Sequence, residues 1–393
     1  MIPGLRKIGA TLALTCFLAL PVSGVEYGQV AYKVANLLQH EHYNDQRIND
    51  DVSRELLSNY LDFLDIGRLY FLQSDIDRFK AQYETRLDEK LLQQDISPAL
   101  DIYYVYTDHV VKRVEWIKGS LDKVDFTFDS DRSVEISRKE LPWPANRQEA
   151  DKVWFNIIEG EVLQEVLRQE AAEEIAREKG EKFEPPKDGP KVVVRKRYER
   201  ILDSLKGNTT EDIAGFFLKS LAHTYDPHSD YFTQSEYNNF RISMKKQLTG
   251  IGALLSMTDE GYAEIKGLVV GGPAHRAGEL QVGDRIVGVG QRSSGSVTDI
   301  MHMKLQKVVD LIRGPKGSIV RLKVIPTGKD SAETTILQIK RDKVDLKESL
   351  ARAELIETTN AAGQKIKLGW IDLPSFYSDC LLYTSPSPRD SDQ

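Results

Sequence analysis

QLTGIGALLSM, residues Gln247 to Met257, is where the chain changes character: upstream apolar residues recur at helical spacing, downstream they alternate. Its Gly250-Ile251-Gly252 turn offers bare backbone N–H groups to an anion. A nucleotide phosphate and the carboxylate ending another protein both suit such a turn. A dinucleotide site sets its glycines between a strand and a helix, whose N-terminus faces the pyrophosphate. Here no helix begins at Ala253 and no lysine follows in P-loop spacing, so the phosphate reading fails on context. The same amides can hold a peptide's terminal carboxylate while the following strand pairs with its backbone.

Upstream, from Gln29 to about Ala222, the pattern is helical. Val30, Val34, Leu37 and Leu38 share one face, and so do Ile48, Val52, Leu56, Tyr60, Phe63 and Leu64. Ser97 is expected as an N-cap with Pro98 at the first helical position, and Gly119 as that helix's end. Thr209 and Asp212 have capping-box spacing ahead of the stripe Ile213, Phe216, Phe217 and Leu221, and Pro227 marks the stop. EKFEPPKDGPK, Glu181 to Lys191, reads as a linker.

Downstream, GALLSM and YAEIKGLVV flank the turn Asp259-Glu260-Gly261, and DRIVGVG is a further strand. TDIMHMKLQKVVDLIRG predicts one helix from Thr298 to Gly314. In GSIVRLKVI, Val320, Leu322 and Val324 are expected inward, with Arg321 and Lys323 outward. TTILQIKRDKV and KIKLGWIDLPSFY are strand-rich, and ILQIK and LGWIDLPSF are expected as strands lacking their sheet.

The chain has 393 residues and a formal charge of −7, enough for two or three domains. That acidic balance argues against nucleic-acid binding. The basic run KVVVRKRYER follows a Glu-rich stretch and reads as a solvated helix. Arg6 and Lys7 precede the apolar run Ile8 to Leu20, which is short for a bilayer span. It reads as a secretory signal cleaved before Val25, the rival reading being an uncleaved anchor. Leu14-Thr15 ahead of Cys16 lacks the small residues of a lipoprotein signal. Cys16 and Cys380 are the only cysteines, so stability must come from packed cores rather than a disulfide.

GLVVGGPAHRAGELQVGDRIVGVGQ, Gly267 to Gln291, resembles PDZ domains of the bacterial, permuted kind, in which the carboxylate loop opens the domain. The resemblance implies a peptide site of Leu248, Gly250, Ile251, Gly252, Ala253, Leu254 and Leu255 facing a helix with Val308, Leu311 and Ile312. The amides of Gly250, Ile251 and Gly252 would hold the carboxylate.

The wider chain is similar to C-terminal processing peptidases of the tail-specific protease branch. YDPHSDYFTQSEYNNF, GRLYFLQSDIDRF, TGIGALL, GGPAHRAG, VVDLIRGPKGSIVRL and RDKVDL carry the likeness, in family order from about Gly28 to Tyr377. It implies an α+β fold: signal peptide (1–24), helical N-terminal domain (25–235), PDZ domain with one main helix (236–328), and the truncated start of an α/β serine-peptidase core (329–377). It also implies a Ser–Lys dyad, apolar protein C-termini as substrates, a lipoprotein adaptor as a possible partner and no cofactor. The location implied is the periplasm of a Gram-negative bacterium, with at most peripheral membrane association. The family's nucleophile lies in a Ser/Ala-rich stretch and its lysine in a later Gly-Lys-Gly segment. These 393 residues hold neither, and 378–393 (SDCLLYTSPSPRDSDQ) is expected to be foreign to the family. The chain as written is expected to bind tails without cutting them. A non-catalytic secreted PDZ module is the alternative.

Other constellations are weaker. Asp226, His228 and Ser229 are triad residue types but too close in sequence to face one another, and local turn bonds are expected instead. Ser375 does not match the nucleophile position. His40 and His42 lack further ligands for a metal. Lys245 and Lys246 flank the glycine turn as solvated charges.

Overall fold

The structure is a computed structural model that describes residues 24–374, save 130–132, 134, 136, 259, 331–332, 347–349 and 360–363. The expected signal segment with Cys16, and the tail with Ser375 and Cys380, lie outside the described residues. The chain divides into two compact units, 1–202 with 208–231, and 203–207 with 232–393.

The first unit is helical: α1 (Gly24–Glu41), α2 (Asp50–Asp65), α3 (Gln73–Tyr83), α4 (Leu87–Leu92), α5 (Ser97–Lys123), α6 (Arg147–Lys179), α7 (Pro190–Lys206, its residues 203–206 falling to the second unit) and α8 (Thr210–Tyr225). Val52, Leu56, Tyr60 and Leu61 of α2 are buried with Phe217, Leu218 and Leu221 of α8. Tyr60 meets Phe217 edge-on at 5.3 Å and donates to the Ala99 carbonyl at 3.0 Å. The capping box of α8 forms as expected, Thr209 and Asp212 each accepting the other's backbone N–H. Asp226 is extended, at φ −165° and ψ 135°, because the ring of Pro227 disfavours a helical residue before it.

Two expectations for α5 need correction. Ile96, not Ser97, is its N-cap, and the carboxylate of Asp95 accepts the Ser97 N–H at 2.8 Å. Nor does Gly119 end it. The helix runs on to Lys123, because burying Leu121 offsets a glycine interior cost of about 1 kcal/mol.

The turn after α2 is built around one carboxylate. Asp65 is 3% exposed. It accepts the N–H of Leu69 at 2.8 Å, those of Tyr70 and Phe71 at 3.0 Å, and the Trp143 indole N–H at 3.1 Å. Burial lifts its pKa above the usual carboxylate range, against the downward pull of these donors.

In the second unit α9 (Gln234–Lys245) and β1 (Gln247–Gly250) precede β2 (Ala253–Met257), β3 (Ala263–Leu268), α10 (Pro273–Ala277), β4 (Arg285–Gln291) and β5 (Val297–Asp299). Then come α11 (Leu305–Ile312), β6 (Ile319–Ile325), β7 (Thr335–Lys340), β8 (Asp342–Asp345), β9 (Arg352–Thr359) and β10 (Lys365–Asp372). The main sheet is antiparallel in the order β2-β3-β4-β6-β7, with β5 on β4. β1 pairs with β8, and β9 pairs with β10. Ile265, Ile286, Val289, Val320, Leu322, Val324 and Ile339 fill the core with Val308 and Ile312 of α11.

Three expectations change here. The helix expected over 298–314 is only 305–312, since β5 takes Val297–Asp299 into the sheet and His302 turns the chain at φ +57°. ILQIK is not short of a sheet: β7 pairs with β6 from Thr335 to Lys340, so the sheet runs past residue 328. Arg321 is outward by alternation yet only 7% exposed. Loop 292–296 covers it, and its guanidinium donates to the carbonyls of Arg292, Gly295 and Ser296.

Asp65→Asn should destabilise the helical unit by about 2 kcal/mol, because an amide must turn its NH2 toward at least one N–H donor. Urea unfolding followed by far-UV circular dichroism measures it. An unchanged midpoint would remove Asp65 as the turn's organiser.

Candidate functional site

The Gly250-Ile251-Gly252 segment leads from β1 into β2, the edge strand of the main sheet. An edge strand keeps one row of backbone groups unpaired. Gly252 sits at φ +74°, a region open chiefly to glycine. A Cβ there would lie 3.4 Å from both Val344 methyls. At Gly272 a Cβ would come within 2.9 Å of the Val269 carbonyl oxygen, so the loop approaches too closely for any side chain.

The loop's carbonyls are taken. Ile251 O accepts the Ala274 N–H of α10, and Gly252 O accepts the Val269 N–H, both at 2.8 Å. In a planar trans peptide the N–H points opposite the C=O. The amides of Gly252 and Ala253 therefore turn away from α10 and β3. Gly250, also expected as a donor, is paired with Asp342 in the β1–β8 ladder.

Side chains sort by strand alternation. Ala253, Leu255 and Met257 pack on the core cluster, while Leu254 on the opposite face is 61% exposed. Ile251, Val308 and Ile312 are buried within the core, at 3%, 0% and 4% exposure. Leu311 is half-buried against the same cluster as Leu255. Leu248 pairs with Val344 in β1. Of the ten residues singled out by sequence, Gly252, Ala253, Leu254 and Leu255 stand at the β2 edge and Leu311 on α11 beside it, none of them fully buried in the core except Gly252.

Two features behind this edge were missed from sequence. Arg341 is 2% exposed. It donates to Ile312 O at 2.7 Å, Leu311 O at 3.1 Å, Gln291 Oε1 at 2.7 Å, Ser318 Oγ at 2.9 Å and Ile319 O at 3.3 Å. A buried cation thus satisfies the last carbonyls of α11, where the helix dipole is negative. Burial pushes its pKa below the usual arginine value. In sequence it is one basic residue after an alternating strand, with no sign of burial. On its outer side α11 meets α9 through polar bonds: Ser235 Oγ donates to Asp310 at 2.9 Å, Asn239 Nδ2 to Gln306 at 3.0 Å, and Arg313 to Asn239 Oδ1 at 2.6 Å.

In the helical unit the Ser229 N–H donates to the Asp226 carbonyl at 3.0 Å, a local turn bond. The structure adds a distant partner, with His42 Nε2 at 3.1 Å from Ser229 Oγ. The Asn44 N–H donates to His42 Nδ1 at 3.2 Å, so the ring's proton belongs on Nε2. The ring then donates to the serine and cannot take its proton. His40 Nδ1 bonds the Asn36 carbonyl at 2.9 Å, and no metal-ligating cluster occurs among the described residues.

Residues 34–235 match the family model for the tail specific protease N-terminal domain, and residues 241–325 match the PDZ domain. A tail-specific protease of Haemophilus influenzae is 32% identical over 353 residues, covering 90% of this chain and 47% of the relative. The carboxy-terminal processing protease CtpA of Bacillus subtilis is 28% identical over 185 residues, 47% of this chain and 35% of that one. The chain spans about half the length, or less, of these curated relatives. A crystal structure of the PDZ domain of a Vibrio cholerae carboxy-terminal protease in complex with peptide is 50% identical, covering 25% of this chain and 99% of that chain, with a TM-score of 0.24. The photosystem II D1 C-terminal processing protease is 20% identical, with coverages of 45% and 46% and a TM-score of 0.26.

Arg341→Met should cost the second unit about 2 kcal/mol or more, since it takes the guanidinium donor from Ile312 O and leaves Leu311 O only the Gln291 Nε2–H at 2.7 Å. The urea midpoint of this variant against Arg341→Lys tests it. Equal midpoints for Arg341→Met and the parent chain would show that the clamp contributes nothing.

Proposed function

The chain belongs to the tail-specific protease family, and on that premise we propose that it binds the C-termini of other proteins at the β2 edge beside α11. The observation that carries this reading is the loop geometry: both carbonyls of Ile251 and Gly252 are held by Ala274 and Val269, and two amides turn the other way. A terminal carboxylate would accept from Gly252 and Ala253, and the preceding residues would add to β2 as a further strand. The last side chain would rest between Leu255 and Leu311, which favours apolar tails of modest size. Ile251, Val308 and Ile312 would form the floor beneath it rather than touch it. Lys245 and Lys246 would add a weak favourable field.

The recognised tails would be delivered to serine-peptidase chemistry. In the resemblance that chemistry is a Ser–Lys dyad with neutral lysine as general base. No residue here is assigned to the dyad, and this chain alone is proposed to capture tails without cutting them. The proposal places it in the periplasm, exported by the apolar segment Ile8 to Leu20, with protein tails as partners and a lipoprotein adaptor as a further one. The β9–β10 hairpin supports a peptidase over a free-standing module. Leu355, Leu368, Trp370 and Ile371 are exposed on it, and that much apolar surface calls for a covering partner.

Calorimetric titration with an apolar-tailed peptide should give saturable binding, and its C-terminal amide should bind at least about tenfold more weakly, the loss of one charge-assisted interaction. Equal affinity for acid and amide would overturn the carboxylate assignment.

A further inference from the structure

A cavity with an excess of cationic side chains lies in the helical unit, away from anything used above. A cavity of about 70 Å³ is lined by Tyr70, Leu72, His109, Lys112, Arg113, Trp116, Arg147 and Asp151. That is several times the ~10–15 Å³ that a single water needs by the same measure, and leaves room for a small oxyanion. The Arg113 side chain is 10% exposed and donates to Asp151 Oδ1 at 2.6 Å. Its guanidinium lies 4.8 Å from the Trp116 ring centroid, which fixes its plane. Arg147, the first residue of α6, has no carboxylate partner among the described residues. Lys112 pairs with Asp108 at 2.5 Å and His109 with Asp75 at 3.0 Å, and neither of those carboxylates lines the cavity. The walls thus set Arg113, Arg147 and Lys112 against Asp151 alone.

We infer that this cavity binds a small oxyanion, a phosphate or a carboxylate, between Arg113 and Arg147. Arg113 is answered by Asp151 and Arg147 is not, so the two guanidinium groups lining one cavity repel each other. Burial, with the charge of Arg147 adding to it, holds Arg113 below the usual arginine pKa despite the pull of Asp151. An anion there relieves both terms and can accept bidentate hydrogen bonds. The positive N-terminal end of α6 acts in the same sense.

The test uses the full chain at constant ionic strength in chloride, titrated with inorganic phosphate and separately with acetate and succinate. Phosphate or a carboxylate should bind one to one at millimolar concentration or below, and the stronger arm identifies the source. Arg147→Gln changes an exposed side chain and should weaken binding at least tenfold with unchanged stability. Asp151→Asn should strengthen binding severalfold, since it removes the competing carboxylate. The inference is overturned if neither anion binds better than chloride, or if Arg147→Gln leaves the affinity unchanged.

Discussion

A single guanidinium holds the second unit in its working shape. Arg341 is buried and has no ion-pair partner among the described residues, so its charge is met by dipoles: the last carbonyls of α11, the Gln291 amide, the Ser318 hydroxyl and the Ile319 carbonyl. These acceptors come from α11, from the end of β4 and from the start of β6. One side chain therefore fixes the C-terminal end of α11 against the sheet. Without it the helix would rest on the apolar packing of Val308, Leu311 and Ile312 and on the Gln291 bond to Leu311 O, because its outer contacts with α9 are polar and largely exposed. The separation of β2 from α11 is thus set from beneath by a buried cation.

The helical unit uses the opposite charge for a similar purpose. Asp65 gathers three consecutive backbone N–H groups and the Trp143 indole at the exit of α2. Those donors have no helix or strand to pair with, so a carboxylate in their midst replaces secondary structure. The Arg113–Asp151 pair shows where this economy stops. Arg147 adds a third charge without a fourth, and the excess stands over an open cavity. Charges that organise a turn are fully bonded, whereas charges that await a ligand are not.

Much of the fold is legible in the residues. Helical spacing around Val52, Leu56 and Tyr60 and the capping box of Thr209 and Asp212 placed α2 and α8. Alternation in GALLSM and GSIVRLKVI placed β2 and β6. The misreadings share one cause, which is that propensity sees only near neighbours. TDIM has helical composition, yet β4 captures part of it as β5. Gly119 looks like a terminator until Leu121 finds a core. ILQIK reads as an orphan strand only while its pairing with β6 is unknown. Among the site residues, the sequence offered Leu254 and Leu255 alike, although only Leu255 packs on the core. It could not tell that Val308 and Ile312 lie too deep to line anything.

By itself the sequence determined the family, the succession of a helical region and a small β domain, and the glycine turn that frees backbone donors. Those properties depend on the residue types at fixed local spacing, which a chain carries wherever it folds. Tertiary structure decided which donors are free, since only the bonds from Ala274 and Val269 orient the amides of Gly252 and Ala253. It also decided the burial of Arg341 and Arg321, whose acceptors come from residues more than twenty positions away. Charge in a sequence is a property of one residue, but its solvation is a property of the whole fold.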